Sequence, residues 1–103
     1  MRTKKAKRHL EPWSIQESTQ FLNLYLDGVK QRDVTVLCDD IATTLERTYD
    51  AIKLRRQEVV SILSDGLEGL KKEKQTPHMI EAVQSVSEDR GMSRAKMLYW
   101  FEN

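Results

Sequence analysis

The sequence predicts an all-α protein, a three-helix unit followed by a C-terminal helical extension of about two helices. Three observations predict it. Only four Gly and two Pro interrupt 103 residues, so turns are few. Charged residues make up 32% of the chain and hydrophobic residues 39%, a balance that suits a small helical protein. Apolar residues recur at steps of three and four, the period of an amphipathic helix, and capping residues stand ahead of them. At this length there is no room for two independent cores. The chain divides into a basic arm at 1–9, a three-helix domain at 10–65, and a connector with its helical extension at 66–103.

The first helix is expected at about 14–27. Ser14 and Glu17 form an S-x-x-E capping box, in which the serine side chain bonds the Glu17 amide and the glutamate reaches back. Ile15, Phe21, Leu22, Leu24, Tyr25 and Leu26 give this helix a wide buried side, and Gly28 is its stop. The second helix opens at Asp33 and carries Val34, Leu37, Ile41 and Leu45 inward. Asp39, Asp40 and Glu46 lie on its opposite side, a face that repels phosphate. The third begins at the N-cap Thr48, buries Ile52, Val59 and Leu63, and ends at Ser64-Asp65-Gly66. Residues 66–75 read as a connector, either irregular or in part helical. Thr76 then caps a fourth helix with Pro77 at its first position. Ile80, Val83 and Val86 point inward there, and Gly91 closes it. Ser93 caps a short fifth helix ending in Met97-Leu98-Tyr99-Trp100-Phe101.

The formal net charge of +1 hides an asymmetry. Arg2, Lys4, Lys5, Lys7 and Arg8 give the arm +5 with no acid, so the rest of the chain sums to −4. Such arms bind polyanions, although a short basic terminus with no role is also common. A second concentration of cations, Arg47, Lys53, Arg55 and Arg56, surrounds the start of the third helix. No apolar run approaches the roughly 20 residues of a membrane span, and no apolar region follows the basic start as a secretory signal requires. Cys38 is alone, which excludes an internal disulfide and a cysteine-based zinc site and suits an intracellular, cytoplasmic setting.

Nothing points to an enzyme. The sequence has no Gly-rich phosphate loop and no nucleophile with a plausible base. Asp39 and Asp40 are neighbours on a helix, about 100° apart and poorly placed for one metal. His9 and His78 stand alone, so neither a metal nor a cofactor is expected. Glu17, Glu46 and Asp50 read as capping or surface groups.

The stretch Leu45-Glu46-Arg47-Thr48-Tyr49-Asp50-Ala51-Ile52-Lys53-Leu54-Arg55 resembles the third helix of Myb/SANT-type helix-turn-helix repeats. In that family an Arg-Thr pair opens the recognition helix, followed by small and apolar core residues and then by basic and polar readers. Trp13-Ser14 with Glu17 is similar to the family's W-[ST]-x-x-E opening, and residues 39–45 to its second helix. The likeness covers about residues 10–63. Of the family's three spaced tryptophans only Trp13 is present; Cys38 and Arg56 take the other two positions, and residues 28–38 are longer than usual. The chain reads as a divergent relative of bacterial or phage type.

The resemblance implies a helix-turn-helix protein that binds double-stranded DNA, most simply as a small transcriptional regulator. Its base-reading positions fall on Lys53, Leu54 and Gln57. Lysine can donate to guanine, glutamine can pair with adenine, and leucine can meet a thymine methyl. Arg55 and Arg56 would serve phosphates or bases, and Arg47 with the Thr48 amide would meet phosphate at the helix N-terminus. The arm would follow the backbone or enter an adjacent minor groove. Two plainer readings stand beside this: Arg47 pairs with Glu46 or with acids of the second helix, and Lys53 and Arg56 are solvated surface. The segment with Met97, Tyr99, Trp100 and Phe101 either folds back on the core or forms an interaction surface, as a homodimer seam or a dock for a protein partner. In the second case the chain is a protein-interaction module, such as a phage-encoded inhibitor of a host protein, that also uses its acidic second helix.

Overall fold

The computed structural model describes residues 12–69 and 77–102. The arm and the Thr76 cap lie outside them. Five helices follow in order: α1 (Ile15–Gly28), α2 (Val34–Leu45), α3 (Tyr49–Gly69), α4 (Pro77–Arg90) and α5 (Arg94–Glu102). The described residues form no strand.

Most helix starts follow from the caps. Ser14 Oγ accepts the Glu17 amide at 3.0 Å, and Asp33 accepts the Thr35 amide at 3.0 Å. Thr48 Oγ1 takes the Ala51 amide at 3.1 Å, and Ser93 Oγ takes the Lys96 amide at 3.2 Å. Each side chain satisfies one of the amides that a helix N-terminus leaves without a partner.

The ends are more varied. Gly91 closes α4 with a φ of +63°; its amide bonds Glu88 O, and the Met92 amide bonds Ser87 O. This is the Schellman arrangement, and glycine enters its left-handed position without steric penalty. The same pair of bonds ends α2, from Glu46 to Thr43 O and from Arg47 to Ala42 O. There the left-handed residue is Glu46, at φ 60°. Gly28 ends α1 for another reason. A Cβ on it would lie 2.7 Å from Leu37 Cδ1, so glycine lets the end of α1 approach α2.

The expected stop at Ser64-Asp65-Gly66 is corrected: α3 continues to Gly69. A single glycine inside a helix costs only about 1 kcal/mol relative to alanine, and no proline follows to break the turn.

One hydrophobic cluster joins all five helices. Phe21, Leu22, Tyr25, Ile41, Ile52 and Val59 lie at its centre, and Met79, Val83, Val86, Met97 and Phe101 of the extension belong to it. Polar ties fix the extension further. Arg90 donates to Asn23 and pairs with Asp27 at 2.7 Å, and Arg94 donates to the Ile62 carbonyl at 2.7 Å. Helix α4 lies along α1, and α5 lies on α3.

Candidate nucleic-acid interface

Helix α3 follows α2 after a break of three residues, 46–48. Residues 53, 54 and 57 occupy the outer side of its second and third turns. Lys53 and Gln57 are exposed, and Leu54 is 56% exposed, high for a leucine. The ammonium of Lys53 lies 5.7 Å from the centroid of the Tyr49 ring, within cation–π range. The three side chains named as base readers therefore share one accessible surface.

The other cations of this region are less exposed. Arg47 is the clearest correction. Its side chain is only 1% exposed, and its Nε and Nη2 donate to the two carboxylate oxygens of Glu17, each at 2.7 Å. Nη2 also donates to the Pro12 carbonyl at 3.2 Å, and the guanidinium lies 4.8 Å from the Trp13 ring centroid. A group so enclosed cannot meet a phosphate in this structure. The carboxylate that takes its Nε and Nη2 is that of Glu17 in α1. Glu17, read as a surface or capping group, is likewise buried. Thr48, placed with it for phosphate, caps α3 with its hydroxyl.

Arg55 and Arg56 stand at the two flanks of α3. Arg55 Nη1 lies 3.3 Å from Glu58 Oε1, and its guanidinium is 5.7 Å from the Trp13 centroid, on the same ring that Arg47 meets. That contact is ionic only. Arg55 Nε and both Glu58 oxygens are inaccessible and make no hydrogen bond. Arg56 Nε–H donates to the Tyr25 hydroxyl at 3.0 Å. Burial pushes the Tyr25 phenol above its usual range, and the Arg56 bond draws it only partly back, so the hydroxyl stays neutral. Burial likewise raises the Cys38 thiol, against the pull of Arg56 and Lys53. Cys38 behaves as a small core residue.

The face of α2 that would repel phosphate is partly neutralised, since Asp40 pairs with Arg32. The aromatic C-terminus divides by helical spacing. Met97 and Phe101, four apart, are fully buried, so neither is available to a partner in this structure. Tyr99 is 56% exposed, and Trp100 stands edge-on to it at 5.0 Å with Lys30 above its ring at 5.1 Å.

Sequence reasoning missed two groups around the site. The Glu17–Arg47 pair spans 30 residues, and the local capping role of Glu17 gave no sign of it. Tyr25 looked like plain core, although a tyrosine on a core stripe signals a hydroxyl that needs a partner. No helix among the described residues is long and apolar enough to cross a membrane. No protein-family model, no curated protein and no solved structure matches the chain.

Proposed function

We propose that this chain binds double-stranded DNA, with α3 in the major groove and Lys53, Leu54 and Gln57 toward base edges, as a small intracellular regulator of bacterial or phage type. The observation that carries the reading is the joint exposure of those three residues on the second and third turns of a helix that follows α2 after three residues. The resemblance to Myb/SANT-type helix-turn-helix repeats supports the same arrangement, in which the N-terminal half of the last helix meets the bases.

The less exposed cations set a condition on this reading. Of Arg47, Lys53, Arg55 and Arg56, only Lys53 is exposed, Arg55 and Arg56 are half-buried on the flanks, and the helix also carries the exposed Asp50. The attraction for phosphate must then come mainly from the five cations of the arm. Fluorescence anisotropy with random duplexes at two salt concentrations tests this, on the full chain and on a chain lacking residues 1–9. The full chain should bind with a steep salt dependence, and the shortened chain should lose most of its affinity. No binding by the full chain even at low salt would end the reading.

A second reading has its own observation. Tyr99 is largely exposed beside Trp100, a pair of aromatic groups suited to a protein partner or a second copy of the chain. Replacing Tyr99 by serine should abolish such docking and leave duplex binding intact.

A further inference from the structure

We propose that Tyr25 is a positioning residue for base reading: its hydroxyl, held by the Phe101 stack, fixes Arg56 so that the guanidinium presents its two terminal nitrogens to one base pair. The inference rests on the DNA-binding reading above.

Tyr25 is completely buried in α1, yet its hydroxyl reaches the flank of α3. Its ring lies flat on Phe101 of α5, with centroids 4.2 Å apart and planes at 15°, and Phe21 meets both rings at 6.3 Å. A ring clamped in this way offers its oxygen at one place. Arg56 Nε–H uses that oxygen at 3.0 Å, while the guanidinium carbon lies 6.0 Å from the ring centroid.

The consequence follows from the shape of arginine. A guanidinium carries five N–H groups in a rigid planar fork. With Nε committed to Tyr25, four remain on the two terminal nitrogens, and no partner takes them among the described residues. Arg56 and Gln57 also border an open groove of about 360 Å³ between α3 and α5. The half-buried Arg56 therefore borders open space beside a base-reading residue. The end-on pair of terminal nitrogens matches guanine O6 and N7, or two oxygens of one phosphate.

Arg47 provides the contrast. Its Nε and Nη2 are both consumed by one internal carboxylate, which leaves no outward role. Arg56 is held by a neutral oxygen through Nε alone, so no carboxylate among the described residues pairs with it, although Glu102 lines the same groove. The C-terminal extension acquires a purpose in this scheme, since Phe101 is what holds the Tyr25 ring still.

The test is selection and sequencing of bound duplexes from a random pool, on the full chain and on its Tyr25→Phe, Arg56→Lys and doubly substituted variants. Tyr25→Phe removes only a hydroxyl and should keep helix content and overall duplex affinity. It should weaken the preference at one base pair roughly tenfold, the scale of one good bidentate contact. Arg56→Lys should weaken the same position, and the double variant should be no worse than Arg56→Lys alone. A merely structural tyrosine would lower preference at all positions equally, or at none; either result overturns the inference. If Tyr25→Phe does not fold, Arg56→Lys decides alone, by losing one position or none. A wild-type chain that enriches no motif ends the DNA-binding reading and this inference together. A wild-type motif that both single variants retain in full ends this inference and leaves the reading standing.

Discussion

The inner and outer sides of α3 and its entry use the same residue types for different ends. On the inner side Arg47 is sealed between Glu17 and Trp13, and Arg55 lies between Glu58 and the same tryptophan. On the outer side Lys53 lies over the face of Tyr49, and Leu54 and Gln57 stand open beside it. The comparison teaches that a run of cations is not one feature. Charges paired inside the protein hold α1 to the start of α3, and the few left outside carry whatever recognition the helix performs.

Breaking the inner side should have the largest effect. Glu17→Ala or Arg47→Ala leaves one buried charge without its partner, a loss of about 3–5 kcal/mol. Thermal unfolding should show a fall of well over 10 °C for either variant. Replacing both by apolar residues of similar size, Glu17→Leu with Arg47→Met, should recover most of that stability. If the double variant folds, its duplex binding should keep the wild-type salt slope, because Arg47 meets no phosphate. A slope lower by about one would show that it does.

The aromatic stack comes next. Phe101→Ala should cost about 3–5 kcal/mol in urea unfolding, as expected for a fully buried ring. Tyr99→Ala, two residues away and exposed, should change stability by less than about 0.5 kcal/mol. Equal losses would mean that α5 does not dock by the Met97–Phe101 side.

The smallest effects sharpen a second pairing, between two helix ends built alike. Glu46 occupies the left-handed position that Gly91 occupies in α4. Glu46→Gly should stabilise the protein by about 0.5–1 kcal/mol, since it relieves the left-handed penalty against a gain in unfolded-chain entropy. Gly91→Ala should destabilise by about 1 kcal/mol, although a Cβ there would meet no atom within 4 Å. Calorimetry on both variants checks the opposite signs.

Much of the scaffold could be read from local chemistry. Ser14, Asp33, Thr48, Ser93 and Gly91 mark their helix ends because capping bonds span only a few residues. The inward positions Leu37, Ile41, Leu45, Ile52, Val59 and Leu63 followed from the helical period. What escaped depends on distant packing. The partner of Arg47 lies 30 residues away, and Glu17 had a sufficient local role as a cap. The Ser64-Asp65-Gly66 stop failed because a weak breaker yields to a continuing helix. In the aromatic run at 97–101, spacing alone allowed several inward sides, and only the docking of α5 on α3 selects Met97 and Phe101. For the candidate site, the outward trio was named through the resemblance to Myb/SANT-type repeats, whereas the division of the arginines was not foreseen.

The most direct test of this division is duplex selection by the wild-type chain beside a Lys53→Ala/Gln57→Ala variant. Both substitutions are on the exposed side, so the variant should unfold within about 0.5 kcal/mol of wild type. This division predicts that the wild-type chain enriches one motif, and that the variant still binds duplexes with the same salt dependence but keeps preference only at the base pair assigned to Arg56. A variant that selects the same motif as the wild type would contradict it, and would move recognition away from the outer side of α3.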